Sequence, residues 1–428
     1  MNYRQVYLKR GKEESLLRFH PWIFSGAIHH TDSGINDGDV VRVVAADGRF
    51  AAVGHYQGGS IAVRVLSFSD IAIDDAFWHN RLQSALEVRK SLGFLPSFNS
   101  QPSPHDPQPS TFNPQTTAFR LVHGEGDLLP GLIIDIYGST AVMQAHSIGM
   151  HNSRTIIAET LMEVMGGHIT SVYYKSETTL SFAEPQNGFL IGHTDDDTAL
   201  ENGLRFHVDW LKGQKTGFFV DQRENRALLE SYSKDRNVLN MFCYTGGFSF
   251  YAMRGGARLV HSVDSSAKAV ELTRRNVELN FPGDPRHEAF CEDAFKFLEL
   301  GVRSEELGVA ARDELLTPNS KLRTPYDLII LDPPAFAKHR GALHNALKGY
   351  TRLNNRAFEK IAPGGILFTF SCSQVVTKDH FRNAVFTAAA QAKRHVRILH
   401  QLHQPADHPI NIYHPEGEYL KGLVLYVE

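Results

Sequence analysis

The sequence predicts an α/β protein, with a C-terminal half of βαβ units around a parallel sheet, preceded by a small β-barrel and a mixed α+β region. Three observations predict it. From Asn237 onward, the short apolar runs VLNMF, LVHSVD, DLIILD and GILFTFS are separated by helix-length segments, the pattern of strands buried on both faces. In the first seventy residues the apolar runs are instead short, alternate with polar positions and are broken by Asp-Gly and Gly-Gly, as antiparallel strands joined by tight turns require. The length, 428 residues, exceeds what one core usually organises, so two or three domains are expected.

Taken in chain order, residues 1–72 read as the barrel and residues 73–205 as a central α+β domain. The central domain opens with an apolar-spaced helix from Phe77 to Leu92. The stretch from Leu95 to Thr117 is rich in Pro, Ser, Gln and Asn, cannot offset its ordering entropy, and is expected to be an exposed flexible loop. Alternation resumes at Phe119, a helix is expected from Arg154 to Met165, and strands are expected near Ser171 to Lys175 and in GFLIGH and LRFHVDW. Residues 206–428 make the third domain. Its last two strands have no room for a crossover helix between them, so they are expected to pair as an antiparallel edge.

Composition narrows the function classes. With 42% hydrophobic and 21% charged residues the chain is an ordinary globular one, and a net charge of −3 excludes a protein that coats nucleic acid nonspecifically. RNA contact would fall to local cations such as Lys9, Arg10, Lys12, Arg18, Lys212 and Lys215, each of which, read singly, is a solvated charge. Three widely spaced cysteines, Cys243, Cys291 and Cys372, suit neither a disulfide framework nor a zinc site, so no metal is expected and a reducing cytoplasm fits. Neither a leader's apolar core nor a membrane-length apolar run occurs, so a soluble cytoplasmic protein is expected.

The chemistry should lie at the carboxyl ends of the parallel strands. The first, VLNMF, runs into Cys243-Tyr244-Thr245-Gly246-Gly247, where glycine lets the backbone approach a ligand at a helix N-terminus. The second ends on Asp264, placed to accept from both ribose hydroxyls of an adenosine-containing cofactor, and the third on Glu292-Asp293, where Asp293 can accept from an adenine amine. Read singly, each acid is a cap or a solvated charge, and their joint position is the informative part. The fourth strand ends in Asp332-Pro333-Pro334-Ala335-Phe336, a rigid segment whose carbonyls project into the cleft. The fifth ends in Ser371-Cys372-Ser373, a thiol at the rim of the same cleft. Cys291 reads as a buried structural cysteine, the commoner fate of a free thiol, and Cys243 reads either way.

These motifs, from Asn240 to Phe248, from Asp332 to Phe336 and from Ser371 to Ser373, resemble those of class I ribosomal RNA cytosine-C5 methyltransferases that carry an N-terminal PUA domain. The resemblance extends to His20-Pro21-Trp22-Ile23-Phe24-Ser25-Gly26, Leu129-Pro130-Gly131-Leu132, Gly217-Phe218-Phe219-Val220-Asp221-Gln222-Arg223 and Glu416-Gly417-Glu418-Tyr419-Leu420-Lys421-Gly422. It implies a Rossmann-like catalytic domain and S-adenosyl-L-methionine as cofactor at Gly246, Asp264 and Asp293, with Gln222 and Tyr244 as neighbours. It makes Cys372 the nucleophile and Asp332 the holder of the protonated ring nitrogen. Pro333 and Phe336 would line the base, Phe336 as a stacking surface, and ribosomal RNA would be the partner, with a homodimer allowed. In two respects the chain departs from the pattern: many RNA cytosine-C5 enzymes place a second cysteine where this chain has Pro334, and the Pro/Ser-rich insertion from Leu95 to Thr117 is unusual for the family. Two rivals stand beside this reading. Nitrogen methylation of guanine or adenine on the same fold would not need Cys372, and a noncatalytic RNA-binding or assembly factor would need none of the site.

Overall fold

A computed structural model describes residues 3–95, 115–180, 187–300 and 326–428. The expected loop at 95–117 lies outside the described residues except at its ends, where Leu95 and Thr116 are buried. The chain forms two compact units, residues 1–220 with 405–417, and residues 221–404 with 418–428.

In the first unit, β1 (Gln5–Leu8), α1 (Glu14–Leu17), β2 (Trp22–Phe24), β3 (Ile28–Thr31), β4 (Val40–Val44), β5 (Phe50–Tyr56) and β6 (Ile61–Ser67) give a mixed six-stranded sheet of order β2-β6-β5-β4-β1-β3. Its alternating residues Val6, Leu8, Val41, Val43, Ala52, Val63 and Val65 make one core. Then come α2 (Asp75–Ser91), β7 (Ala118–His123), β8 (Leu132–Tyr137), β9 (Thr140–Ala145), α3 (Ile148–Asn152), α4 (Arg154–Met165), β10 (Ser171–Tyr174) and β11 (Gly188–Ile191). Asp74 caps α2 by accepting from the Phe77 amide at 3.0 Å, so the helix starts two residues before the apolar spacing suggests. Strands β11-β10-β9-β8-β7 form a second sheet, covered by α2 and α4. A hairpin of β12 (Thr198–Glu201) and β13 (Leu204–His207) turns at Asn202-Gly203, both in the left-handed region that such a turn demands.

The second unit contains α5 (Arg223–Tyr232), β14 (Asn237–Met241), α6 (Gly247–Arg254), β15 (Leu259–Asp264), α7 (Ala267–Asn280), β16 (His287–Cys291), α8 (Ala294–Leu300), β17 (Tyr326–Leu331), α9 (Leu343–Lys360), β18 (Ile361–Ser371), α10 (Lys378–Gln391), β19 (Val396–Leu402) and β20 (Lys421–Val427). Its sheet has the order β16-β15-β14-β17-β18-β20-β19; the first five strands are parallel, and β20 runs antiparallel to both β18 and β19. The doubly wound α/β fold and its antiparallel edge are therefore those the apolar pattern predicts. Leu239, Met241, Ile329, Leu331 and Leu367 pack against α8, α9 and α10, while Phe368 and Phe370 meet Tyr232 of α5 and Phe248 of α6 on the other face. Strand order reverses between β14 and β17. A crevice opens at such a reversal, beyond the carboxyl ends of the strands, and α/β sheets bind their ligands there.

Candidate active site

Beyond Met241 the chain enters a turn in which Phe242 (φ 59°), Tyr244 (φ 48°) and Gly246 (φ 84°) are all left-handed. For the two non-glycine residues that conformation costs about 1–3 kcal/mol each, and it persists only where surroundings enforce it. Here they do. The Cys243 amide donates to the Val263 carbonyl (3.0 Å), the Tyr244 amide to Asp264 Oδ2 (3.1 Å) and the Gly246 amide to the Cys243 carbonyl (2.8 Å). From α7, the buried Thr273 hydroxyl donates to the Tyr244 carbonyl (2.8 Å) and the buried Asn276 amide to the Thr245 carbonyl (3.2 Å). A Cβ on Gly246 would lie 2.5 Å from Phe250 Cε1 and 2.8 Å from Thr273 Cγ2, so packing as well as backbone angle demands glycine. Three residues apart, Thr273 and Asn276 share one helix face; sequence reasoning missed both, and the only available signal was two small polar residues among apolar ones.

Asp264, half-buried at the end of β15, also accepts from the Ser266 amide at 2.9 Å. Asp293 is exposed one strand further out, and its Oδ1 accepts from the Lys296 amide at 3.0 Å, capping α8. Tyr244, Gly246, Asp264 and Asp293 thus sit after three adjacent strands on one edge. Their chemistry fits an adenosine-bearing cofactor: a carboxylate for vicinal hydroxyls, a second acid one strand beyond, and a rigid turn between them.

The second cluster gathers after β17 and β18. Cys372, half-buried, places its Sγ 4.0 Å from the carbonyl oxygen of Pro333, beside Asp332 on the same loop. The Ala337 amide donates to Ser373 Oγ (3.3 Å), tying the two strand-end loops together. Beneath them the buried Tyr350 hydroxyl accepts from Ser371 Oγ (2.9 Å) and hydrogen-bonds Ser373 Oγ (3.1 Å), so both neighbours of Cys372 are pinned by one group. Burial pushes the Tyr350 hydroxyl up and keeps it neutral. Phe336 lies with its ring centroid 4.6 Å from that of Tyr350, so one side of the expected stacking surface is occupied from within. Gln222 is fully buried, donates from Nε2 to Asp332 Oδ2 at 3.1 Å and accepts from Asn225 Nδ2 at 2.6 Å. The family resemblance implies Gln222 as a neighbour of the cofactor; in the structure its amide reaches the carboxylate of Asp332.

The other two thiols differ from the one at the cleft. Cys243 is buried, and burial, helped by the charge of Asp264, pushes its thiol far up, out of nucleophilic range. Cys291 is exposed, with Sγ 3.6 Å from the Ser265 carbonyl, which corrects the expectation of a buried structural cysteine. Among the described residues it ends β16, the edge strand of its sheet. The cations Lys9, Arg10, Lys12, Arg18, Lys212 and Lys215 are all exposed, as solvated charges and RNA contacts alike would be.

Residues 6–68 match the PUA-like domain family, and residues 187–413 match the S-adenosylmethionine-dependent methyltransferase family. The chain is 38% identical over 429 residues to ribosomal RNA large subunit methyltransferase I of Tolumonas auensis, covering 98% of each. It is 37% identical over 428 residues to the protein of that name from Aeromonas salmonicida, again covering 98% of each. Among solved structures, a candidate SAM-dependent methyltransferase from Streptococcus mutans superposes with a TM-score of 0.76 at 22% identity, covering 99% of each chain. A second, SMU.776, described as a candidate methyltransferase complexed with SAH, superposes with a TM-score of 0.78 at 22% identity, also covering 99% of each. At that identity the two structures show the shared fold.

Proposed function

The chain belongs to the S-adenosylmethionine-dependent methyltransferases, among the relatives of the ribosomal RNA large subunit methyltransferase I proteins, and from that premise we propose that it methylates C5 of a cytosine in ribosomal RNA. One observation carries the choice of atom: the Cys372 thiol stands against the Pro333 carbonyl, on the loop that also presents Asp332.

Cytosine C5 is too weak a nucleophile to take a methyl group unaided. Attack of the Cys372 thiolate on C6 forms an S–C6 bond and moves electron density onto C5, while Asp332 holds the proton on N3 that stabilises the adduct. Gln222, hydrogen-bonded to Asp332, fixes the carboxylate in that orientation. S-adenosylmethionine, when bound, supplies the electrophilic methyl group, and Asp264, Tyr244, Gly246 and Asp293 are the residues that would hold it. Solvent water then takes the C5 proton, the electron pair of that bond reforms the C5–C6 double bond, and the C6–S bond breaks to release the thiolate and restore the ring. Both C5 and C6 must be reachable, so the target base is flipped or unpaired. The PUA-like domain, with Lys9, Arg10, Lys12 and Arg18 exposed, supports RNA as the partner.

The test is to incubate the protein with unmodified large-subunit ribosomal RNA and methyl-labelled cofactor, digest, and identify the labelled nucleoside. Label in 5-methylcytidine is expected. Label in a methylated purine would overturn the choice of atom.

A further inference from the structure

On the reading that Cys372 is the nucleophile, we propose that Lys421 is its positioning residue, whose ammonium group, anchored on the carbonyl of Ser373, stabilises Cys372 as a thiolate.

β20 lies beside β18, with Lys421 directly opposite Ser371, so its side chain starts level with the last residue of the nucleophile's strand. Its Nζ donates to the Ser373 carbonyl at 2.7 Å. The lysine therefore touches the residue after Cys372 and pairs with the residue before it, and Tyr350 holds both by their hydroxyls. A buried ammonium is costly unless an opposite charge faces it. Among the described residues, the ionisable groups that act on Lys421 are Cys372 and Glu418, which favour its charge, and Lys378, which opposes it. Glu418 already forms an ion pair with Lys378. Of the two groups that favour the charge, the sulfur belongs to the residue next to the carbonyl on which the ammonium is anchored. Burial is the largest influence on the lysine and holds it at about 8, still mostly protonated near neutrality. Tyr350, kept neutral by burial, contributes hydrogen bonds and no charge. When the thiol ionises, its proton passes to solvent through the half-exposed side of Cys372, the sulfur keeps the bonding pair, and no redox partner is needed.

The pairing can be read without RNA by measuring the rate of iodoacetamide alkylation of Cys372 through a pH series, with each cysteine quantified on its own peptide. In the wild type the half-maximal pH for Cys372 should fall below the ordinary thiol value of about 8.5. Lys421→Met should raise it by about 1–3 units, Lys421→Arg should keep it low, and the exposed Cys291 should be unchanged in all three. An unmoved Cys372 profile in a Lys421→Met protein that still binds S-adenosylhomocysteine overturns the proposal. Should that variant fail to fold, the wild-type profile decides alone: a half-maximal pH at or above about 8.5 overturns it and a lower one supports it. Because neither RNA nor methyl transfer enters this measurement, its failure leaves the covalent mechanism standing. Failure of that mechanism in turn leaves the thiol titration intact.

Discussion

Replacing Asp264 should weaken cofactor binding far more than it weakens the fold. If the carboxylate accepts from two ribose hydroxyls, each charge-assisted bond contributes about 1.5–3 kcal/mol. Asp264→Ala then loses about 3–6 kcal/mol, or roughly a hundredfold to ten-thousandfold in Kd for S-adenosylhomocysteine. The same carboxylate holds the amides of Tyr244 and Ser266, but it is only half-buried. Water can replace it there, so the cost in stability should be on the order of 1 kcal/mol per amide. Asp264→Asn separates the two roles: its remaining carbonyl can still hold the Tyr244 turn, yet it lacks the charge and one of the two acceptor oxygens. Isothermal titration of both variants, with melting curves alongside, gives the answer. Asn near the affinity of Ala, in folded protein, supports direct ribose contact. Asn near wild type would assign Asp264 to the turn alone, and unchanged affinity in a folded Asp264→Ala protein would refute the reasoning altogether.

Three further outcomes follow from the geometry. Arg89 is fully buried and paired in bidentate fashion with Asp127, so Asp127→Ala should strand its charge and cost about 3–5 kcal/mol in denaturant unfolding of the first unit; a loss under about 1 kcal/mol would contradict this. Gln222→Leu removes the donor 3.1 Å from Asp332 and should lower kcat about tenfold with little change in S-adenosylhomocysteine affinity, whereas a loss confined to cofactor affinity would return Gln222 to the cofactor. Burial lowers His261 from 6.5 to about 4, so its unfolded form binds a proton more readily. Its contribution is complete above pH 6.5 and is lost as pH falls towards 4. The drop in Tm between neutral and mildly acid buffer should shrink in His261→Gln; an undiminished drop would show that the acid sensitivity lies elsewhere.

The parallel strands were legible because each is buried on both faces and so carries an uninterrupted apolar run bounded by a helix. The strand-end acids and Cys372 were legible for the same reason, since the end of such a run marks the edge where ligands bind. Other features depend on contacts between distant residues. Gln222 meets Asp332 across 110 positions, and nothing local to GFFVDQR signals it. The left-handed Phe242 and Tyr244 carry no glycine or asparagine to announce them. Lys421 acquires its place only from the register of β20 on β18, which the antiparallel pattern alone leaves open. Residues 405–417, read as part of a simple closing hairpin, belong to the first unit, where Asp407 accepts from the Arg120 amide at 2.9 Å and His414 packs on Trp22. Their Pro, His and Asn content reads as a loop, and a loop's sequence does not say which core it joins.

The central claim is that Cys372 forms a bond to cytosine C6 during turnover. Ribosomal RNA bearing 5-fluorocytosine tests it most directly, because fluorine cannot leave C5 as a proton does and the adduct cannot collapse. With cofactor present, the wild type should give an RNA-linked protein band that survives denaturation and maps to the Cys372 peptide. Cys372→Ala should give no band and no methyl transfer while still binding S-adenosylhomocysteine. Near-normal turnover by folded Cys372→Ala, with no band from the wild type, would contradict the account and point to a nitrogen acceptor.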